Sequence, residues 1–300
     1  MTAGTKISVD NTIDRHAAAP ANHWVEAVRR IARNKIAVAS FFIFVIICLA
    51  CAFAPYLTKW SYANINKDVQ LERPSFTHIL GTDNLGRDTF SRLLYGGRIT
   101  LRIAFVSTLM AAAIGCVIGL PAGYFGSPAD TIISPILDMI SSVPVILLVI
   151  VMEFALGWGS GNFMYAMVIA AIPQFARLMR ASVMTIMGRE YIEASRALGV
   201  SHTKIMLRHV MHNAAPALII RFTNGVAEGL LTCTVMGYLG IGINPPTPEW
   251  GVIVYNAKTY IRRAPLMIII PCAVIVISVI SLCLFGDGLR DALDPKESGA

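Results

Sequence analysis

The run IAVASFFIFVIICLACAFAPYL, residues 36–57, contains no charged side chain. A helix of that length, rising about 1.5 Å per residue, crosses about 30 Å of hydrocarbon, and it cannot form the surface of a soluble domain. Residues 103–124 and 265–285 repeat the pattern. Three more segments are apolar but interrupted. Residues 139–156 carry Pro144 and Glu153, 163–178 carry Pro173 and Gln174, and 214–241 carry Arg221, Asn224 and Glu228. Polar groups and prolines persist inside a span only where other helices or a wet cavity satisfy them, so the last two segments belong in a bundle interior. The expected fold is an all-α integral membrane protein with six transmembrane helices. Charged residues at 14%, against about 25% in soluble domains, agree with it. The net charge of +7 then reads as basic loops at an anionic lipid bilayer, with no nucleic-acid partner.

The spans set the divisions of the chain. Residues 1–22 are small, polar and aperiodic, and read as a disordered cytoplasmic tail. Residues 23–57 hold an interfacial helix, with Trp24, Val28, Ile31 and Ala32 on one face, and then the first transmembrane helix. That run is too long, and too far from residue 1, for a cleaved signal. Residues 58–98 form an external loop that ends in a second interfacial helix, GRDTFSRLLYGGR, with Phe90, Leu93 and Leu94 together. Residues 99–285 hold the other five helices, and 286–300 a second cytoplasmic tail. Lysine and arginine favour this orientation: 14 lie in segments 1–35, 177–213 and 286–300, against 10 in 58–102 and 242–264. Both termini are then cytoplasmic.

The longest cytoplasmic segment is REYIEASRALGVSHTKIMLRHVMHN, residues 189–213. Ile192, Ala194, Ala197 and Leu198 suggest one apolar helical face, which Gly199 closes as a C-cap. Ser201 can cap a second helix carrying Ile205, Leu207, Val210 and Met211. A connector between packed helices needs about 2–8 residues, so this excess suggests a docking surface for a soluble partner.

Glu193, Ala194 and Ser195, followed by Gly199 and HVMHN, resemble the EAA loop of permease subunits in binding-protein-dependent ABC importers. Ser195 stands where that family usually has a second alanine, and His212 where it usually has proline. Three more stretches, LGTDNLGRDTFSRLLYGGRITL (80–101), NPPTPEWG (244–251) and GDGLRDALDP (286–295), are similar to the second permease of the dipeptide, oligopeptide and nickel importers. The resemblance implies a type I importer permease fold in a bacterial plasma membrane. It implies a homologous permease, two cytoplasmic ATPase subunits or domains and an extracytoplasmic substrate-binding protein as partners. The coupling loop would use Glu193, Ala194, Ser195, Gly199, Ser201, Lys204, Arg208 and His209. Peptides are the leading substrate, with nickel or another small solute as the alternative.

No G-x-x-x-x-G-K-[ST] pattern occurs, and no glycine precedes a lysine, so ATP and Mg²⁺ are expected on partner chains and no cofactor on this one. Cys48 and Cys51 lie in an apolar span and read as small hydrophobes. His209 and His212 have ligand spacing but no third ligand nearby, so no metal site is expected. GWGSG (157–161) is not the G-x-S-x-G of a serine hydrolase, and the apolar spans hold no histidine to serve as base. A secondary transporter or channel would not explain the long helical loop. Arg221, Asn224 and Glu228 are candidates for the translocation path or for structural ion pairs. Pro245 and Pro246 stiffen an external loop that could form a gate, with Trp250 as an interfacial anchor. Gly115, Gly119 and Gly123 permit close helix approach, within the chain or against a partner permease.

Overall fold

The computed structural model describes residues 23–157 and 159–293. The expected tail at 1–22, the part of the second tail beyond 293, and the Trp24 side chain lie outside the described residues. Among the described residues the regular elements are helical, apart from an isolated bridge between Thr82 and Asp88.

The first helix, α1 (His23–Arg33), packs Ala27 and Ile31 against Leu289 and Leu293. Val28 is exposed, so the apolar face expected of this helix is split between protein and surroundings. Asn34 interrupts the chain and caps α2 (Lys35–Ala52), its Oδ1 accepting from the N–H groups of Ile36 and Ala37. The short α3 (Ala54–Leu57) completes the first apolar run.

No separate interfacial helix precedes the second span. Instead α4 (Thr89–Phe125) is one helix of 37 residues, and the boundary expected at 98 falls inside it. Asp88 starts this helix by accepting from the Ser91 N–H at 2.7 Å. Gly96 and Gly97 do not end it, because they allow close packing: a Cβ on Gly97 would lie 2.4 Å from Cys51 Sγ.

The segment expected as a straight span at 139–156 is also broken. Two helices, α5 (Ser127–Ser142) and α6 (Val145–Leu156), meet at 94°. Pro144 lacks an N–H and drives Val143 into an extended conformation (φ −90°, ψ 129°), which ends α5. By contrast, α7 (Ser160–Met187) runs unbroken through Pro173.

After α8 (Glu190–Ala197), a single turn α9 (His202–Lys204) leads through a π-helical turn (Ile205–Val210) directly into α10 (Met211–Tyr238). The second helix expected in the 189–213 loop is thus the root of a bundle helix. Last come α11 (Trp250–Ala257) and α12 (Leu266–Leu293). Residues 286–293, expected as tail, are the final turns of α12, with Gly286, Gly288, Leu289, Ala292 and Leu293 buried.

Among the described residues four helices, α2, α4, α7 and α12, are long and apolar enough to cross a membrane, and α5 with α6 makes a fifth if the bent pair is one span. The sixth, α10, is 28 residues long but carries Arg221 and Glu228. It packs on α4, α7, α11 and α12, as an interior helix should. The most extensive helix–helix contact is between α4 and α7. Gly115, Gly119 and Gly123 all face α7, so their spacing serves packing within the chain.

Candidate functional site

Three places on this bundle combine polar groups with access from outside. The first is the corner between α7 and α10. Helix α8 ends in a Schellman turn: Gly199 N–H donates to Arg196 O at 3.0 Å, Val200 N–H to Ser195 O at 3.1 Å, and Gly199 takes φ 73°. Ile192, Ile205 and Val210 are fully buried against Met179, Val183 and Tyr124, which fixes the corner to α4 and α7. His202 Nδ1 lies 2.7 Å from Tyr124 Oη, and the Arg196 guanidinium sits over the same ring at 5.5 Å.

The apolar underside expected of α8 does not exist. At about 100° per residue, Ala194, Ala197 and Leu198 lie opposite Ile192, and all three are exposed, Leu198 at 84%. Glu193, Lys204 and Arg208 are exposed around them, while His209 and Ser195 are half-buried. Ser201 occupies the N-cap position with extended backbone, but its side chain makes no capping bond. The corner therefore offers leucine and alanine within a charged rim, a surface suited to a protein cleft.

The second place is a cavity of about 290 Å³ between α4, α6, α7 and α10. Arg221 and Glu228 line it as a bidentate pair, Nη1–Oε1 2.9 Å and Nη2–Oε2 2.8 Å. Phe175 lies under the guanidinium at 5.5 Å. Asn224 is not with them. It faces α12, where a Cβ on Gly286 would lie 2.7 Å from its Oδ1. Gln174, Ser107, Thr108 and Thr232 add neutral polar groups that the sequence reading had not joined to the pair.

The third lies at the opposite end of α10. A second cavity of about 480 Å³ is bordered by Arg102, Met164, Asn244 and Thr247. Pro245 and Pro246, joined by a cis peptide bond, are exposed beside it. Trp250 is not an interfacial anchor: it is fully buried, and its Nε1 donates to Leu93 O at 2.9 Å. The reason is Glu249, also fully buried, which caps α11 by accepting from Val252 N–H at 3.0 Å. Its other oxygen lies 2.8 Å from Thr100 Oγ1, and that hydroxyl in turn reaches Gly96 O at 3.0 Å.

Burial pushes the Glu249 carboxyl up, with the Gly251, Thr100 and Val252 bonds opposing. A raised glutamate contributes stability that is complete below its unfolded value and lost as pH rises through its folded value. Thermal unfolding in detergent should therefore show wild-type stability falling on the alkaline side of the ordinary glutamate range. Glu249→Gln should flatten that decline, and an unchanged slope would mean that the carboxylate is ionised in the fold.

The sequence reading also missed a buried charge cluster between α3 and α4. Arg87 Nε meets Asp83 Oδ2 at 2.6 Å, Arg92 Nε approaches the same oxygen at 3.4 Å, and His78 Nδ1 meets Asp88 Oδ1 at 2.9 Å. The signal was the spacing of four between Asp83 and Arg87, where Arg87 and Arg92 had been read only as part of an interfacial helix. The cluster shapes the loop that leads into α4.

Residues 115–299 match the family described as binding-protein-dependent transport system inner membrane component, and 22–74 match the N-terminal TM domain of oligopeptide transport permease C. The dipeptide transport system permease protein DppC of Alkalihalophilus pseudofirmus is 37% identical over 273 residues, 91% of this chain and 90% of that protein. The glutathione transport system permease protein GsiD of Pectobacterium atrosepticum is 39% identical over 275 residues, 91% of each. Among solved structures, an inward-facing MetNI methionine ABC transporter aligns with a TM-score of 0.56 at 24% identity, covering 67% of this chain and 96% of that one. At that identity the likeness is one of fold.

Proposed function

Because the chain belongs to the binding-protein-dependent inner membrane transport components, we propose that it is one permease of an ATP-driven importer of peptides. The observation that carries this reading is identity above one third to dipeptide and glutathione permeases across nine-tenths of the chain. The chain would pair with a homologous permease to enclose the pathway. Two ATPase subunits or domains would dock on the α8 corner, and an extracytoplasmic binding protein would deliver peptide at the Arg102 and Asn244 end. ATP and Mg²⁺ would act on those ATPases and not here, since the sequence offers no phosphate-binding loop.

The mechanism follows from the connections. ATP-driven closure of the ATPases displaces Leu198 and its neighbours. Helix α8 is packed on α7 through Ile192, and the π turn runs into α10, so the displacement is delivered to two of the four helices that line the cavity. Tilting them exposes that cavity to one side and then the other, which is alternating access.

The test is uptake of a labelled dipeptide into proteoliposomes. It should require this chain, its permease partner, the ATPases, the binding protein and ATP together. The purified chain alone should hydrolyse no ATP. Accumulation of nickel without peptide would overturn the substrate, and ATP hydrolysis that tracks mutations in this chain would overturn the role.

Orientation is tested separately. Asn64, Lys258 and Thr203 are all exposed. Single cysteines at Asn64 and Lys258, in a cysteine-free background, should react with an impermeant maleimide on intact spheroplasts. One at Thr203 should react only after lysis. External labelling of Thr203 would invert the topology and remove the ATPase role of the α8 corner.

A further inference from the structure

The Arg221–Glu228 pair has a use that packing does not require. Among the residues lining the 290 Å³ cavity, these two are the only charged ones. They lie seven residues apart on α10, about 10 Å along its axis, and close that gap by extending towards each other. Arg221 is held, 19% exposed and stacked on Phe175, whereas the Glu228 side chain is 54% exposed. Within the cavity each charge is occupied by the other, as apolar surroundings demand.

A ligand that brings both charges can exchange with this internal pair without stranding either. A ligand with only one leaves a partner unpaired among the apolar groups of the wall, which is costly. Opening the pair would leave a cation and an anion up to about 10 Å apart, while the ends of an extended dipeptide or tripeptide are about 7–10 Å apart. Apart from the neutral Ser107, Thr108, Gln174 and Thr232, the rest of the wall is apolar, and it offers no further charge to a particular side chain. A volume of about 290 Å³ is close to the lower end of small-molecule sites, about 300–1,000 Å³. It suits a short peptide better than a long one.

We infer that Arg221 and Glu228 form a binding station inside the bundle for zwitterionic di- and tripeptides. Arg221 takes the terminal carboxylate, Glu228 takes the terminal ammonium, and the side chains go unread. This assignment rests on the reading of the chain as a peptide permease and gives that reading its size limit and its recognition chemistry.

The test uses the assembled importer without its binding protein, so that selection by that protein does not intrude. Thr232 lines the cavity, and a Thr232→Cys variant lacking the six native cysteines provides a reactive probe. Millimolar Ala-Ala should slow its maleimide labelling at least 5-fold. N-acetyl-Ala-Ala and Ala-Ala-amide, each with one charge removed, should leave the rate unchanged. Equal protection by all three, or by none, overturns the inference. In the full importer with its binding protein, Arg221→Gln/Glu228→Gln removes both charges and strands neither. It should co-purify with its partners yet take up Ala-Ala at least 10-fold more slowly. Uptake at the wild-type rate overturns the inference, and if this variant fails to assemble the labelling decides alone. If the wild-type importer accumulates no peptide, it is the permease reading that fails, whatever the labelling shows.

Discussion

A Gly119→Leu variant is expected to give almost no assembled importer. A Cβ at this position would lie 2.2 Å from Ala176 O and 2.9 Å from Met179 Cβ. The first of these is backbone in the middle of α7 and cannot rotate away. The two helices would have to part along the line where Gly115, Gly119 and Gly123 hold them together, exposing Phe175, Met179 and Val183, all now fully buried. Overpacking typically costs about 1–3 kcal/mol, and a clash with backbone belongs at or above the top of that range. A cost of about 3 kcal/mol is a large part of a normal stability margin. Gly161→Leu is the control, since nothing lies within 4 Å of a Cβ there. Detergent-extracted yield and co-purification of the partner permease should fall at least 10-fold for Gly119→Leu and change little for Gly161→Leu. Equal yields would mean that α4 and α7 are not in this register.

Gly199→Asp should behave in the opposite way, leaving assembly intact while abolishing transport. Gly199 sits at φ 73° with open space around it, so the cost is conformational, about 1–2 kcal/mol. The bundle can bear that. The α8 corner cannot, because the Schellman turn sets the angle between α8 and the π turn, and the new carboxylate lies beside the exposed Leu198. Peptide uptake should fall to background while the two permeases still co-purify. The ATPases should either dissociate or hydrolyse ATP without responding to the binding protein. Alanine at His209 or His212 should reduce uptake no more than about 2-fold. Normal uptake by Gly199→Asp would reduce the 189–213 segment to a connector.

The parts of this fold that could be read from the sequence are those governed by local chemistry. Apolar runs located α2, α4 and α12, Gly199 marked the end of α8, and the charges on α10 marked it as an interior helix. The errors have a common physical origin, because each turned on a tertiary contact. Trp250 resembles an interfacial aromatic until Glu249 and Thr100 are known to draw it inward. Residues 86–98 read as a separate interfacial helix until α11 and α2 are seen pressed against Gly96 and Gly97, inside one continuous α4. Pro144 and Pro173 have the same intrinsic tendency to break a helix, yet only Pro144 does so, and spacing alone does not distinguish them. Arg221 and Glu228 were read as charges that line the path or form structural ion pairs. Their pairing, and the loss of Asn224 to the α12 side, depend on rotamers and neighbours that no periodicity encodes.

The unbroken passage from the π turn into α10 has a consequence for how the chain can vary. From His202 to Tyr238 there is no flexible joint to absorb a change of length. One residue inserted or deleted between Gly199 and Arg221 would turn everything beyond it by about 100°. Arg221 and Glu228 would swing out of their cavity, and Gly237, whose missing side chain makes room for Glu249, would no longer face it. Along this stretch, exchange of one amino acid for another is a local event, but a gain or loss of a single codon is felt at both faces of the membrane.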